Sequence, residues 1–296
     1  MSMIYPKFEY NKLPESYLTP AKNVGRIENL PYVTECLEHP GVMKSKNLRV
    51  YLPCGYNESK KYNILYLQHG AGDDETRWFG KDNEPNGAKH MFDHMIEDGI
   101  IEPLIVVMPM VDMGEANYSG TVFKYYLELE RDIMPAVENK YSTYAETADD
   151  AGFKASRRHR AIGGFSLGAA VTWFAFLHEL DSFEYFIPMC GDCWEHGIIG
   201  SAKMPEETAD SLVAAVNANE FGKDGFRIYA IVGTKDVAFQ SLTKQTDAMR
   251  KRTDTFAFTN TSFNDGNINF VIIDDYLHEY EFTWEYLYNG LRYFFK

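Results

Sequence analysis

Ser166 lies in "IGGFSLGAA", residues 162–170, with Gly164 two positions before it and Gly168 two positions after. A serine hydroxyl is a poor nucleophile at neutral pH, so it needs a base to take its proton and a third group to hold that base. Glycines at minus two and plus two leave room for a tight strand-to-helix bend that lifts Oγ above a sheet, and the following amide then points at a developing oxyanion. The flanks suit this, since "AIGGF" reads as a short strand and "LGAAVTWFAF" as the start of a helix. A glycine-softened loop would read the same way, so the company Ser166 keeps has to decide.

In the chain order serine, acid, histidine, the next strand end to offer a carboxylate is "IVGTKD", which gives Asp236, and the last strand runs into "DDYLHEYE", which gives His278. His278 would take the serine proton and later protonate the leaving alcohol, while Asp236 would fix the imidazole tautomer and stabilise the imidazolium. Asp236 also reads as a turn or N-cap aspartate before "VAFQSLTKQ", and Asp224, Asp274 and Asp275 are rivals for the acid. His278 has no competitor beyond residue 196. Earlier, "YLQHGAGDDETRWFG" places His69, Gly70, Ala71 and Gly72 at a strand end, where a second oxyanion donor is expected. The donors would be the amides of Ala71 and Leu167, with His69 bracing the loop.

Two other constellations carry less. "CGDC" at 190–193 has redox-motif spacing but no second pair to complete a zinc site, so Cys36, Cys54, Cys190 and Cys193 read as structural. "HMFDH" puts His90 and His94 one helical turn apart without the glutamate of a zincin motif or an obvious third ligand. No metal is expected.

The elements that must position these groups are legible as apolar runs. "NLRVYLP" (47–53), "YNILYLQH" (62–69), "PLIVVMP" (103–109), "HRAIGGF" (159–165), "FEYFIPM" (183–189), "FRIYAIVG" (226–233) and "INFVIID" (268–274) read as strands. Several are apolar at nearly every position, as strands covered on both faces are. "GAKHMFDHMIEDG", "VFKYYLELERDIMPAVENKY", "LGAAVTWFAFLHEL" and "EFTWEYLYNGLRYFF" have helical spacing. The alternation predicts a mostly parallel α/β sheet flanked by helices on both faces, with functional loops at the carboxyl ends of the strands.

With 296 residues, 45% hydrophobic and 24% charged, the chain can bury a large core, and no linker or repeat divides it. A net charge of −14 opposes a nucleic-acid partner, and "KASRRHR" (154–160) is a short basic cluster that reads as a solvated approach to the next strand. No apolar stretch is long enough to cross a bilayer, and "MSMIYPKFEY" lacks the features of an export signal. The reading is a soluble protein, either cytoplasmic or supplied without its leader.

"VGRIENLPYVT", "YLQHGAGDDETRWFG", "HRAIGGFSLGAAVTW", "FIPMCGDCW", "GTKD" and "LHEYEFTWEYLYNGLRYFF" occur in the order found in the esterase D-like α/β-hydrolases. The chain most resembles the feruloyl (cinnamoyl) esterase modules of carbohydrate esterase family one, over nearly its whole length. The resemblance implies one α/β-hydrolase domain over 1–296, with 1–40 as an N-terminal extension packed on it. It puts Ser166, Asp236 and His278 on the triad positions and Ala71 and Leu167 on the oxyanion positions. The implied substrates are hydroxycinnamates esterified to arabinoxylan, with acetylated xylan as an alternative, a small thioesterase as another, and an inactive xylan-binding module as a third. The implied setting is an extracellular xylan-degrading system if a leader was removed.

Two departures from the family are the Ala169–Ala170 pair after the elbow and "DDYL" before the histidine. A planar cinnamoyl ring would gain from aromatic contact, for which Trp78, Trp194, Tyr118 and Tyr280 are the candidates, with Tyr276 beside them. Trp78 reads equally well as an anchor of its own loop. No cofactor is needed, because acyl transfer through serine requires the triad and amide donors.

Overall fold

The computed structural model describes residues 4–81, 83–111 and 121–296. Its main sheet has eight strands in the order β1-β2-β6-β3-β7-β8-β9-β10. These are β1 (Arg26–Glu35), β2 (Met43–Leu52), β3 (Asn63–Gln68), β6 (Leu104–Pro109), β7 (Arg160–Phe165), β8 (Tyr185–Met189), β9 (Arg227–Gly233) and β10 (Ile268–Ile273). A two-stranded ribbon, β4 (Gly80–Lys81) with β5 (Glu84–Pro85), stands apart. β2 runs antiparallel to both its neighbours, and every later pairing is parallel. This is the α/β-hydrolase architecture.

β3, β6, β7 and β8 are buried at every position, which explains why they are mostly apolar, with polar exceptions only at the ends of β3 (Asn63, Gln68) and the start of β7 (Arg160). β1 differs. Its residues alternate between core and solvent, and Pro31 sits in the middle opposite Asn47. Proline lacks the ladder donor but is tolerated where one side of a strand has no neighbour, so "RIENLPYVTE" hides an edge strand behind a weak apolar signal. Residues 26–35, inside the span read as an extension, are therefore part of the sheet. Residues 8–13 do lie on the body of the protein. The Phe8 amide donates to the Thr261 carbonyl at 2.7 Å, and the Asn11 and Leu13 amides donate to Asn289 and Glu285 at 2.7 and 3.0 Å.

Among the described residues the α-helices are α1 (Gly87–Glu97), α2 (Tyr125–Glu128), α3 (Met134–Glu138), α4 (Asp150–Ala155), α5 (Leu167–His178), α6 (Pro205–Ala218), α7 (Phe239–Arg250) and α8 (Tyr280–Gly290). α1 packs on α8, whereas α5 packs on β7, α2 and α6, and α7 packs behind α6. The segment 122–141 is not one uniform helix. A π turn, Leu129–Ile133, joins α2 to α3 just before Pro135. Proline has no amide to donate and crowds the carbonyl four residues back, and a widened turn accommodates both defects. His94 of the "HMFDH" pair stacks on Tyr17 at 4.7 Å and its Nε2 contacts the Thr19 carbonyl, so it is committed to packing. Among the described residues no helix is long and apolar enough to cross a membrane.

Candidate active site at the carboxyl ends of the strands

β7 delivers Ser166 into a backbone conformation with φ 58° and ψ −112°. A side chain at positive φ is strained, and such strain persists only when its surroundings over-determine it. Here they do. The Ser166 amide donates to the Met189 carbonyl at 2.9 Å, and the Ser166 carbonyl accepts from Ala169 and Ala170 at 2.9 and 3.1 Å, which starts α5 at once. A Cβ on Gly164 would stand 2.7 Å from the Gln68 carbonyl oxygen, and one on Gly168 would stand 2.4 Å from it. Both glycines are thus required by the approach of β3's end, so the G-x-S-x-G spacing records a steric fact.

Ser166 Oγ lies 2.9 Å from His278 Nε2, and His278 Nδ1 lies 2.8 and 2.9 Å from the two carboxylate oxygens of Asp236. The three residues come from the ends of β7, β9 and β10. Gly233 is what lets the last two loops meet, because a Cβ there would fall 2.1 Å from the Tyr276 carbonyl oxygen. The loops are then pinned by Lys235 N to Tyr276 O (3.1 Å) and Asp275 N to Thr234 Oγ1 (2.9 Å). Asp236 also accepts from the Ala238 amide at 2.7 Å, so it serves the turn and the imidazole together. Phe165 packs on the imidazole with ring centroids 4.5 Å apart.

Asp236 is also flanked by residues that the sequence did not single out for it. Cys190 ends β8 in the left-handed region (φ 56°) and is buried, with Sγ, an Asp236 oxygen and a His278 nitrogen all within 4.8 Å of one another. Burial first, and then the Asp236 charge beside it, push the thiol pKa well up. Cys190 therefore stays protonated, with its one S–H available as a donor toward Asp236. The buried Tyr286 hydroxyl, which has no well-aligned partner, is pushed up by burial, then by Cys190 and Asp236. Its position on α8 gave no sequence signal, whereas Cys190 is visible as the first residue after a strand that faces the acid. Cys190 and Cys193 are free, buried thiols.

On the other side, His69 Nε2 accepts from the Val111 amide at 3.0 Å, which leaves Nδ1 to donate to the Gly70 carbonyl at 2.8 Å. Its pKa is lowered, chiefly by burial, consistent with this neutral tautomer. The Gly70 amide donates to the Tyr280 hydroxyl at 2.5 Å, so His69 and Tyr280 hold the turn that carries Ala71. Leu167 is buried as the first residue of α5, where a helix has amides without internal partners.

The aromatic candidates divide. Trp78 is 1% exposed and meets Tyr280 edge-on at 5.2 Å, while Tyr280 is 6% exposed, packs on Phe165 at 4.6 Å and lies under the Arg77 guanidinium. These two rings are committed to the loop and the elbow, with little face left over. Trp194 sits in a short 3-10 turn after β8, its indole nitrogen buried without a partner. The Tyr276 hydroxyl donates to Glu285 at 2.5 Å, toward α8. Tyr118 lies outside the described residues.

An eight-stranded α/β-hydrolase sheet with a serine on a strained strand-to-helix elbow, hydrogen-bonded to a histidine and through it to an aspartate, defines a hydrolase of the serine type. Residues 42–288 match the model of the family described as "Putative esterase", and the chain belongs to that family. It is 36% identical over 287 residues to endo-1,4-beta-xylanase Y of Acetivibrio thermocellus, covering 97% of this chain and 25% of that protein. It is 31% identical over 195 residues to an endo-1,4-beta-xylanase/feruloyl esterase of Xylanibacter ruminicola, covering 62% of this chain and 23% of that protein. The chain thus spans about a quarter of the length of these curated relatives. Among solved structures, a serine-to-alanine variant of the feruloyl esterase module from Clostridium thermocellum, complexed with sinapinate, superposes with a TM-score of 0.85 at 36% identity, covering 99% of this chain and 96% of that one.

Proposed function

We propose that this chain is a feruloyl esterase that releases hydroxycinnamic acids from arabinoxylan through an acyl-serine. The observation that carries the chemistry is the unbroken relay from Ser166 Oγ through His278 to Asp236, at 2.9 and 2.8 Å. His278 Nε2 takes the serine proton as Oγ attacks the ester carbonyl. The tetrahedral oxyanion is held by the amides of Leu167 and Ala71, and Asp236 stabilises the imidazolium. His278 then gives its proton to the departing sugar oxygen, and water, deprotonated by the same imidazole, releases the acid. The hydroxycinnamate reading draws on the sinapinate-bound relative, which matches along nearly the whole chain.

Trp194, 7% exposed in the turn after β8, is assigned to an edge of the aryl group, while Trp78 and Tyr280 hold the oxyanion turn in place; Tyr118 is the remaining aromatic candidate. An extracellular, xylan-degrading setting follows from the xylanases to which the chain is similar.

Methyl ferulate, acetylated xylan and S-formylglutathione, each given to the native chain and to Ser166→Ala, test the proposal. Ferulate release should dominate, and Ser166→Ala should lower turnover by about a millionfold, the usual scale for loss of such a serine. Ester turnover by Ser166→Ala equal to the native protein would reject the mechanism. Fast thioester cleavage without ferulate release would reject the substrate.

A further inference from the structure

A second concave site lies at the opposite end of the sheet, where β3, β6 and β7 begin. It is a cleft of about 590 Å³. Six-residue β7 separates its edge at His159 from Ser166, about 20 Å at the usual rise of a strand. The reacting groups of the triad therefore play no part in it.

Its charge runs against that of the protein. The chain carries −14, yet Lys60, Lys61, Arg158 and Lys296 line this cleft with Glu102 as the one acidic side chain. Lys60, Lys61 and Lys296 make no ion pair among the described residues. Arg158 is 65% exposed and reaches Glu184 only at 3.6 Å. The local field registers on His159, whose pKa falls to about 4 through burial and then through the guanidinium groups of Arg160 and Arg158. His159 is thus neutral, and with Nδ1 2.7 Å from the Asn63 side-chain oxygen it donates there.

The cleft also has a flat wall. Tyr144 stacks on His159 with centroids 3.5 Å apart and planes 11° from parallel, yet remains 39% exposed. One face of the phenol is backed by a fixed imidazole and the other is open. The face of an aromatic ring is the negative side of its quadrupole, and the axial C–H groups of a pyranose are weakly positive, so the two pack face to face. Lysines without an ion pair, with Arg158 held only by a long one, suit a sugar that carries a carboxylate beside such a platform.

We propose that this cleft binds a uronic-acid unit of an oligosaccharide, its carboxylate among Lys60, Lys61, Arg158 and Lys296 and its ring on Tyr144. A neutral sugar would leave the cations unused, and a bare anion would leave the platform unused.

Calorimetric titration of the full chain with a glucuronate-bearing xylo-oligosaccharide, with the neutral xylo-oligosaccharide of equal length and with inorganic phosphate tests this. The acidic sugar should bind saturably, weaken as salt is raised, and lose about tenfold in affinity in Arg158→Ala and in Lys60→Ala/Lys61→Ala, the scale of one charge-assisted contact. Tyr144→Ala should weaken it similarly. All three variants should hydrolyse methyl ferulate at the native rate, which shows them folded and separates this site from the esterase centre. Equal binding of the neutral sugar would overturn the proposal, as would equal binding of phosphate with no effect of Tyr144→Ala, or no saturable binding of the acidic sugar. A failure of ferulate hydrolysis in the native chain would bear on the proposed function alone.

Discussion

The two ends of β7 solve opposite problems. At its start, the Arg160 guanidinium is almost wholly buried and fully engaged. Its Nε and Nη2 donate to Glu138 at 2.7 and 2.8 Å, Nη1 donates to the Phe153 and Ser182 carbonyls at 2.9 and 2.8 Å, and Nη2 also reaches Ser156. Glu138 in turn accepts from Tyr66 and Thr143 at 2.9 and 2.7 Å. At its finish, Ser166 is held in a strained backbone with one outward hydroxyl aimed at a quarter-exposed imidazole. One end saturates its polar groups and fixes the strand; the other leaves one group unsaturated enough to react. A reactive end is held to tolerance by a strand whose far end cannot shift without stranding a buried charge.

The sharpest way to break this contrast is at the reactive end. Asp236→Asn keeps the shape of the side chain but presents an amide that no longer selects the Nδ1–H tautomer of His278. Turnover of methyl ferulate should fall by about four orders of magnitude, the scale seen when a triad acid is amidated. The unfolding midpoint in urea should barely move. A loss under tenfold would mean that Asp236 serves the Ala238 turn and little else.

At the anchoring end the order reverses. Glu138→Gln leaves the Arg160 charge buried without its counter-ion, and removing one partner of a buried pair costs about 3–5 kcal/mol. Urea unfolding should register that loss, while the fraction that stays folded turns over substrate with native KM and kcat. A drop in kcat without a drop in stability would show that the two ends are not divided as argued.

How far the sequence disclosed these two ends follows from the kind of constraint at each. The elbow is legible because its constraint is steric and local: Gly164 and Gly168 must lack a Cβ, and that requirement fixes residue types at fixed offsets from Ser166. The central strands are legible because burial on both faces keeps their middles apolar, with polar residues only at their ends, Asn63 and Gln68 in β3 and Arg160 in β7. Asp236 and His278 could be picked out only through chain order, since Asp236 makes the same contact with Ala238 that an ordinary turn aspartate would make. β1 was not legible, because an edge strand with a proline has half the signal. The π turn before Pro135 was not legible either, because the apolar spacing continues through it. Neither Tyr280's bond to Gly70 nor the closeness of Cys190 to Asp236 leaves a local pattern, because each joins residues far apart in the chain.

The smallest effect expected sharpens the comparison most finely, because it asks whether the reactive end has a saturated layer of its own. Cys190 is buried against Asp236 and stays protonated, so its thiol can donate toward the carboxylate. Cys190→Ala removes that donor, a change worth about 1 kcal/mol, and should lower kcat several-fold with KM unchanged. Cys190→Ser restores a donor in the same place and should recover kcat to within about twofold. Alanine and serine variants with the same kcat and the same KM would reduce Cys190 to a space-filling residue. The saturated layer would then belong to the far end of β7 alone.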